Sequence, residues 1–151
     1  MKIESVAVFC ASKDGQQPIY LKHAAELGKL IALLNLKLIY GGGNKGLMGA
    51  LANSALENNG TIIGVIPKLL IEWEHHHQEL TELIVVPDMH TRKKMMYDLC
   101  DAAIVLPGGF EKTFNHIDGF DLDVSLLKSQ LKIIKKEKSD VFSEHQDILN
   151  L

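Results

Sequence analysis

Apolar residues in this chain come in short β-branched runs, separated by longer stretches in which they recur every three or four positions. "SVAVFCAS" (residues 5–12) is an apolar run ending in small residues, as expected for a buried parallel strand that reaches a loop at its carboxyl edge. From Pro18, which suits a first helical turn, Tyr20, Ala24, Leu27, Leu30, Ile31 and Leu34 fall at helical spacing. "LKLIY" predicts a second strand, and "GGGNKGLMGALANSALENNG" predicts a glycine-rich turn and a helix closed by Asn59-Gly60. "TIIGVIP" and "TELIVVPD" predict strands, "HTRKKMMYDLC" a helix, and "DAAIVLPGG" a strand running into a turn. Strands alternating with helices imply an α/β fold, a doubly wound parallel sheet covered on both faces. After Phe110 the pattern fades: residues 111–151 hold amphipathic fragments and a Lys-rich stretch but no clear final strand and helix, so the sheet is expected to be incomplete at that edge.

Length and composition narrow the class. A chain of 151 residues can bury one proper core but not two, so residues 1–151 are expected to form a single domain. A formal charge of -3 gives no general footprint for a nucleic acid polymer, although a local pocket can still be basic. The two cysteines, Cys10 and Cys100, form no CxxC pair and sit among apolar residues, which favours buried free thiols in a reducing compartment. No apolar run approaches the ~20 residues that cross a bilayer, and the first ten residues are a strand rather than a signal peptide. A cytoplasmic protein with no membrane partner is the expectation.

In doubly wound sheets, ligands sit at the carboxyl ends of the strands. Three such ends carry small residues here: Ala11-Ser12, Gly41-Gly42-Gly43 and Gly108-Gly109. Between Gly41 and Gly49 the glycines permit positive φ and close backbone approach, while the following helix start offers N–H donors to an anion. The stretch is neither a strict GxGxxG nor a Walker sequence, and a merely tight turn is the alternative. Arg92, Lys93 and Lys94 lie at a helix start, where cations oppose the helix dipole unless an anion compensates; a solvated charged turn is the plainer reading. Three consecutive histidines, His75 to His77, cannot share a face and converge on one ion, so surface histidines and no metal site are expected. Cys10 and His90 could suggest a nucleophile and its base, but a core thiol explains Cys10 better.

Taken together, "VFCASKDG", "YGGGNKGLMG", "GVIPK", "LTELIVV", "MHTRKKMM" and "LPGGF" resemble the LOG (Lonely Guy) family of cytokinin riboside 5′-monophosphate phosphoribohydrolases, also labelled lysine decarboxylase-like. The resemblance runs in order from about residue 3 to Phe110. It implies a Rossmann-like homodimer that binds a nucleoside 5′-monophosphate, AMP or a cytokinin riboside monophosphate, and hydrolyses the bond between base and ribose 5-phosphate. Gly41, Gly42, Gly43 and Gly46 match its glycine-rich turn, Arg92 and Lys93 its substrate-binding pair with Arg92 in the catalytic role, and Glu74 a ligand-contacting glutamate. Gly108, Gly109 and Phe110 match the start of its PGGxGTxxE signature, whose glycines and threonine hold phosphate and whose glutamate is catalytic. No lysine stands in a recognisable pyridoxal phosphate context, and no cofactor is expected.

The signature then breaks. Its second-half Gly, Thr and Glu fall on Glu111, Lys112 and Asn115; one inserted residue rescues Thr113 but puts His116 where the glutamate belongs. Only Asp118, about one helical turn beyond Asn115, could stand in if this stretch is helical. A change of reading frame after Phe110 accounts for so abrupt a loss better than divergence does. Two readings follow: a phosphoribohydrolase lacking its catalytic carboxylate, or a non-catalytic nucleotide-binding protein of the same fold.

Overall fold

The computed structural model describes residues 2–106, apart from Gln16 and Glu74, together with a short strand further on. The elements are β1 (Ser5–Phe9), α1 (Pro18–Leu33), β2 (Lys37–Tyr40), α2 (Gly46–Glu57), β3 (Thr61–Pro67), a 3-10 turn (Lys68–Leu70), β4 (Glu82–Val86), α3 (Met89–Leu99), β5 (Ala102–Val105) and β6 (Ile134–Lys135). They build one sheet in the order β4-β3-β2-β1-β5-β6. The first five strands are parallel, as the alternating pattern predicts. Among the described residues, the sheet continues beyond β5 with the two-residue β6, which runs antiparallel and departs from the all-parallel expectation. Among the described residues no helix is long and apolar enough to cross a membrane.

Strand side chains alternate between two cores because successive Cβ atoms point to opposite faces. Val6, Val8, Leu38, Tyr40, Ile62 and Ile104 pack with Leu27 and Ile31 of α1 and Leu47 and Leu51 of α2. Ala7, Ile39, Ile63, Val65 and Ala103 pack on the opposite face with Met96 and Cys100 near the end of α3. The two helices on the first face approach closely, since a Cβ at Gly28 would collide with the backbone carbonyl of Leu51.

The chain punctuation follows local chemistry. α2 ends where Asn59 adopts φ 58° and the Gly60 N–H returns to Ala55 O at 2.8 Å, the closure expected from Asn59-Gly60. The Asp101 carboxylate accepts the backbone N–H groups of Glu4 at 2.9 Å and Ser5 at 3.0 Å, joining the start of β1 to the turn before β5. After β1 the chain adds β2, β3 and β4 on one side and then returns to place β5 on the other. That reversal is the topological switch point, and it opens a crevice at the carboxyl ends of the central strands.

Candidate functional site

α3 begins beside that crevice. Its N-cap is Asp88, whose carboxylate accepts the Thr91 N–H at 2.7 Å. That hydrogen bond is the main reason the Asp88 pKa lies below the usual carboxylate value. One turn on, Arg92 is only 4% exposed. Its Nε donates to Val65 O at 2.9 Å, a second nitrogen donates to Gly41 O, and Nη1 lies 3.5 Å from the sulfur of Met89. The guanidinium thus spans from α3 to the ends of β2 and β3. Strand-end carbonyl dipoles and the capping carboxylate of Asp88 offset a cation that the helix dipole alone would disfavour. A Cβ at Gly41 would run into this guanidinium and the end of Met48, so the glycine leaves the space that both side chains occupy.

Around Arg92 lies a cleft of about 50 Å³, walled among others by Cys10 at the end of β1, Gly41, Met48, Met89 and Lys93. Lys93 is half-buried, and desolvation first and the neighbouring Arg92 charge second push its pKa down. Two adjacent cations against apolar walls favour an anionic ligand. Desolvation pushes the thiol of the half-buried Cys10 up to about 12 against the opposing pull of Arg92, which favours the neutral thiol over a nucleophilic thiolate. His90 is exposed on the first turn of α3. The pairing of Cys10 with His90 as nucleophile and base therefore has no support.

The glycine-rich turn is held from two sides. The buried Tyr40 hydroxyl donates to Gly43 O at 2.9 Å, and burial raises its pKa. At the start of α2, the Leu47 N–H donates to Lys13 O at 3.1 Å and the Met48 N–H to Ala11 O at 3.2 Å. Two donors expected to face an anion are thus engaged by the β1–α1 loop. Gly46 has φ 58°, and a Cβ there would strike the Ser12 carbonyl and Lys13. Gly46→Ala is expected to cost about 2 kcal/mol from left-handed strain and this collision, read as a lower denaturation midpoint in urea.

The three histidines diverge as their spacing requires, but not all are on the surface. His75 is exposed and His76 half-buried, whereas His77 is 5% exposed, correcting the expectation of surface histidines. His77 is sheltered because its segment folds back onto the glycine turn, with His76 forming an antiparallel bridge to Gly43. Among the described residues no group of three or more His, Cys, Asp or Glu could hold a metal. Arg92, Lys93 and Gly41 line one cleft, whereas Gly42 lies against Ile66 and Leu83, Gly43 is bridged to His76 and Gly46 lies against Ser12 and Lys13; Glu74, Gly108 and Gly109 lie outside the described residues. So do Glu111, Asn115 and Asp118. The Asp88 cap is not among the residues singled out above, although an Asp three residues before Thr91 at a strand-to-helix boundary carries that signal.

A family model described as "Possible lysine decarboxylase" matches residues 48–114. A cytokinin riboside 5′-monophosphate phosphoribohydrolase of Rhodococcoides fascians is 50% identical over 107 residues, covering 70% of this chain and 54% of that protein. A probable enzyme of the same name from Oryza sativa subsp. japonica is 46% identical over 110 residues, covering 72% of this chain and 45% of the relative. The chain belongs to the LOG family. This LOG chain spans about half the length of the curated relatives it matches. Among solved structures, the molybdenum cofactor binding protein from the phototrophic bacterium Rippkaea orientalis aligns with TM-score 0.61 at 26% identity, over 73% of this chain and 66% of that one. The molybdenum cofactor carrier protein from Chlamydomonas reinhardtii aligns with TM-score 0.61 at 25% identity, over 72% and 65%. The LOG chain therefore shares its fold with proteins titled as a molybdenum cofactor binding protein and a molybdenum cofactor carrier.

Proposed function

We propose that this LOG chain binds a nucleoside 5′-monophosphate, AMP or a cytokinin riboside monophosphate, and is built for hydrolysis of its N-glycosidic bond to free base and ribose 5-phosphate. The observation that carries the reading is the buried Arg92 beside half-buried Lys93 in a cleft at the switch point of the sheet. Arg92 and Lys93 would orient the anionic substrate, Glu74 would contact the ligand, and the turns Gly41–Gly46 and Gly108-Gly109 would lie against the 5′-phosphate. As the base departs with the bonding pair, positive charge builds on the ribose ring, and water then supplies a hydroxyl to the anomeric carbon and a proton to the base. A carboxylate near that carbon is what such a step requires, and Asn115 stands where the family has its glutamate.

That gap favours a second reading, a non-catalytic nucleotide-binding protein; two solved relatives of this fold are titled as a binding protein and a carrier. Incubating the full chain with AMP distinguishes them. Adenine release followed by chromatography supports the hydrolase, calorimetric binding without release supports the binder, and neither result overturns both. The same preparation is expected to show a homodimer mass by light scattering; a monomer at micromolar concentration sinks that part. The working environment in this reading is the cytoplasm.

A further inference from the structure

We infer that His77 is a positioning residue that latches the segment His75–Glu79 onto the Gly42–Asn44 turn, and that the latch opens when its imidazole is protonated. Two backbone hydrogen bonds define the contact. The His77 N–H donates to Gly42 O at 3.0 Å and the Asn44 N–H donates to His75 O at 3.0 Å, and together they make His76 and Gly43 an antiparallel bridge pair. The ring secures this arrangement from the buried side. Its Nδ1 accepts the Glu79 N–H at 3.1 Å, which leaves the ring proton on Nε2, and Nε2 lies 2.7 Å from Asn53 Oδ1 on α2. One neutral tautomer therefore satisfies both nitrogens. Protonation places an N–H on Nδ1 directly opposite the Glu79 N–H, so a donor faces a donor and that bond is lost.

The groups facing the ring are Asn53 from α2 and Glu79 on its own segment. Of these only Glu79 is charged, and it favours protonation; burial, the larger effect, disfavours it and lowers the His77 pKa. The direction follows from linkage. Because the folded pKa lies below the ordinary value of about 6.5, the open form takes up a proton first; the latch is intact above that value and weakens as pH falls from there through the depressed folded pKa. The turn released in this way carries Gly42 and Gly43, so any ligand held by that turn binds less well in acid.

Hydrogen exchange of the Asn44, His77 and Glu79 amides in the full chain, corrected for the intrinsic pH dependence of exchange, reads the latch directly. Between about pH 8 and about pH 5, protection is expected to fall about tenfold, the effect of losing one hydrogen bond. His77→Gln, whose amide can accept from Glu79 and donate to Asn53 without titrating, is expected to keep its protection across the range. His75→Gln and His76→Gln are expected to retain the wild-type transition. An unchanged transition in His77→Gln, or none in the wild type, overturns the inference. Should His77→Gln fail to fold, NMR of the wild-type imidazole decides: Nε2–H with titration below the ordinary histidine value supports the latch, and the Nδ1–H tautomer or an unshifted titration overturns it. The inference rests on the nucleotide reading only for its effect on binding. Failure of AMP to bind leaves the exchange readout intact and counts against that reading alone.

Discussion

Restoring the family signature as Glu111→Gly, Lys112→Thr and Asn115→Glu is expected to raise adenine release from AMP by ~10²-fold or more, the usual worth of one positioned electrostatic group. Each change has its own chemical reason. On the proposed function, glycine would remove a carboxylate that would oppose the 5′-phosphate, threonine would add a hydroxyl donor, and glutamate would supply the negative charge that a developing ribosyl cation needs. The unmodified chain should release base barely above background. An unmodified chain that already turns over AMP at an ordinary enzymatic rate refutes this account, because another carboxylate, Asp118 or Glu74, would then be carrying the reaction. Reading the coding DNA past codon 110 in its other two frames gives an independent check on the origin of the break. A recovered GTxxE would mark a frame change; its absence would mark divergence.

The elements were legible in the sequence because burial imposes periods that local patterns expose. "TIIGVIP" gives β3 at its full length, and the helix expected from Pro18 starts there. Boundaries fixed by hydrogen bonding were harder. The apolar run "SVAVFCAS" suggests a strand reaching Ser12, yet β1 stops at Phe9. Beyond it, Ala11 and Lys13 turn their carbonyls to the start of α2. Side-chain periodicity cannot distinguish a carbonyl spent on a ladder from one spent on a neighbouring helix. The same limit applies to the site. That Arg92 lies at a helix start was visible, but its acceptors on Val65 and Gly41 are 27 and 51 residues away. His77 finds Asn53 at a separation of 24 residues, so its burial could not be read from three histidines in a row.

Those long-range acceptors give Arg92 a second consequence, apart from ligand binding. Arg92→Ala is expected to destabilise the fold by about 3 kcal/mol, since hydrogen bonds from a charged donor contribute ~1.5–3 kcal/mol each and truncation strips the buried carbonyls of Val65 and Gly41 of this donor. Arg92→Lys should recover little of the loss. A single ammonium on a flexible stem does not reproduce the planar fork that reaches the ends of β2 and β3 together. Urea denaturation midpoints at constant m-value measure the effect, and calorimetry with AMP on the folded fraction measures the accompanying loss of affinity, expected to be at least ~1.5 kcal/mol. Lys93 supplies the contrast. It is half-buried in the same cleft, so Lys93→Met is expected to weaken AMP binding while leaving the midpoint within about 0.5 kcal/mol of the parent. An Arg92→Ala protein as stable as the parent would show the guanidinium to be a bystander in the fold. Loss of stability with unchanged AMP affinity would remove it from the binding site and leave it the clasp between α3 and the strand ends.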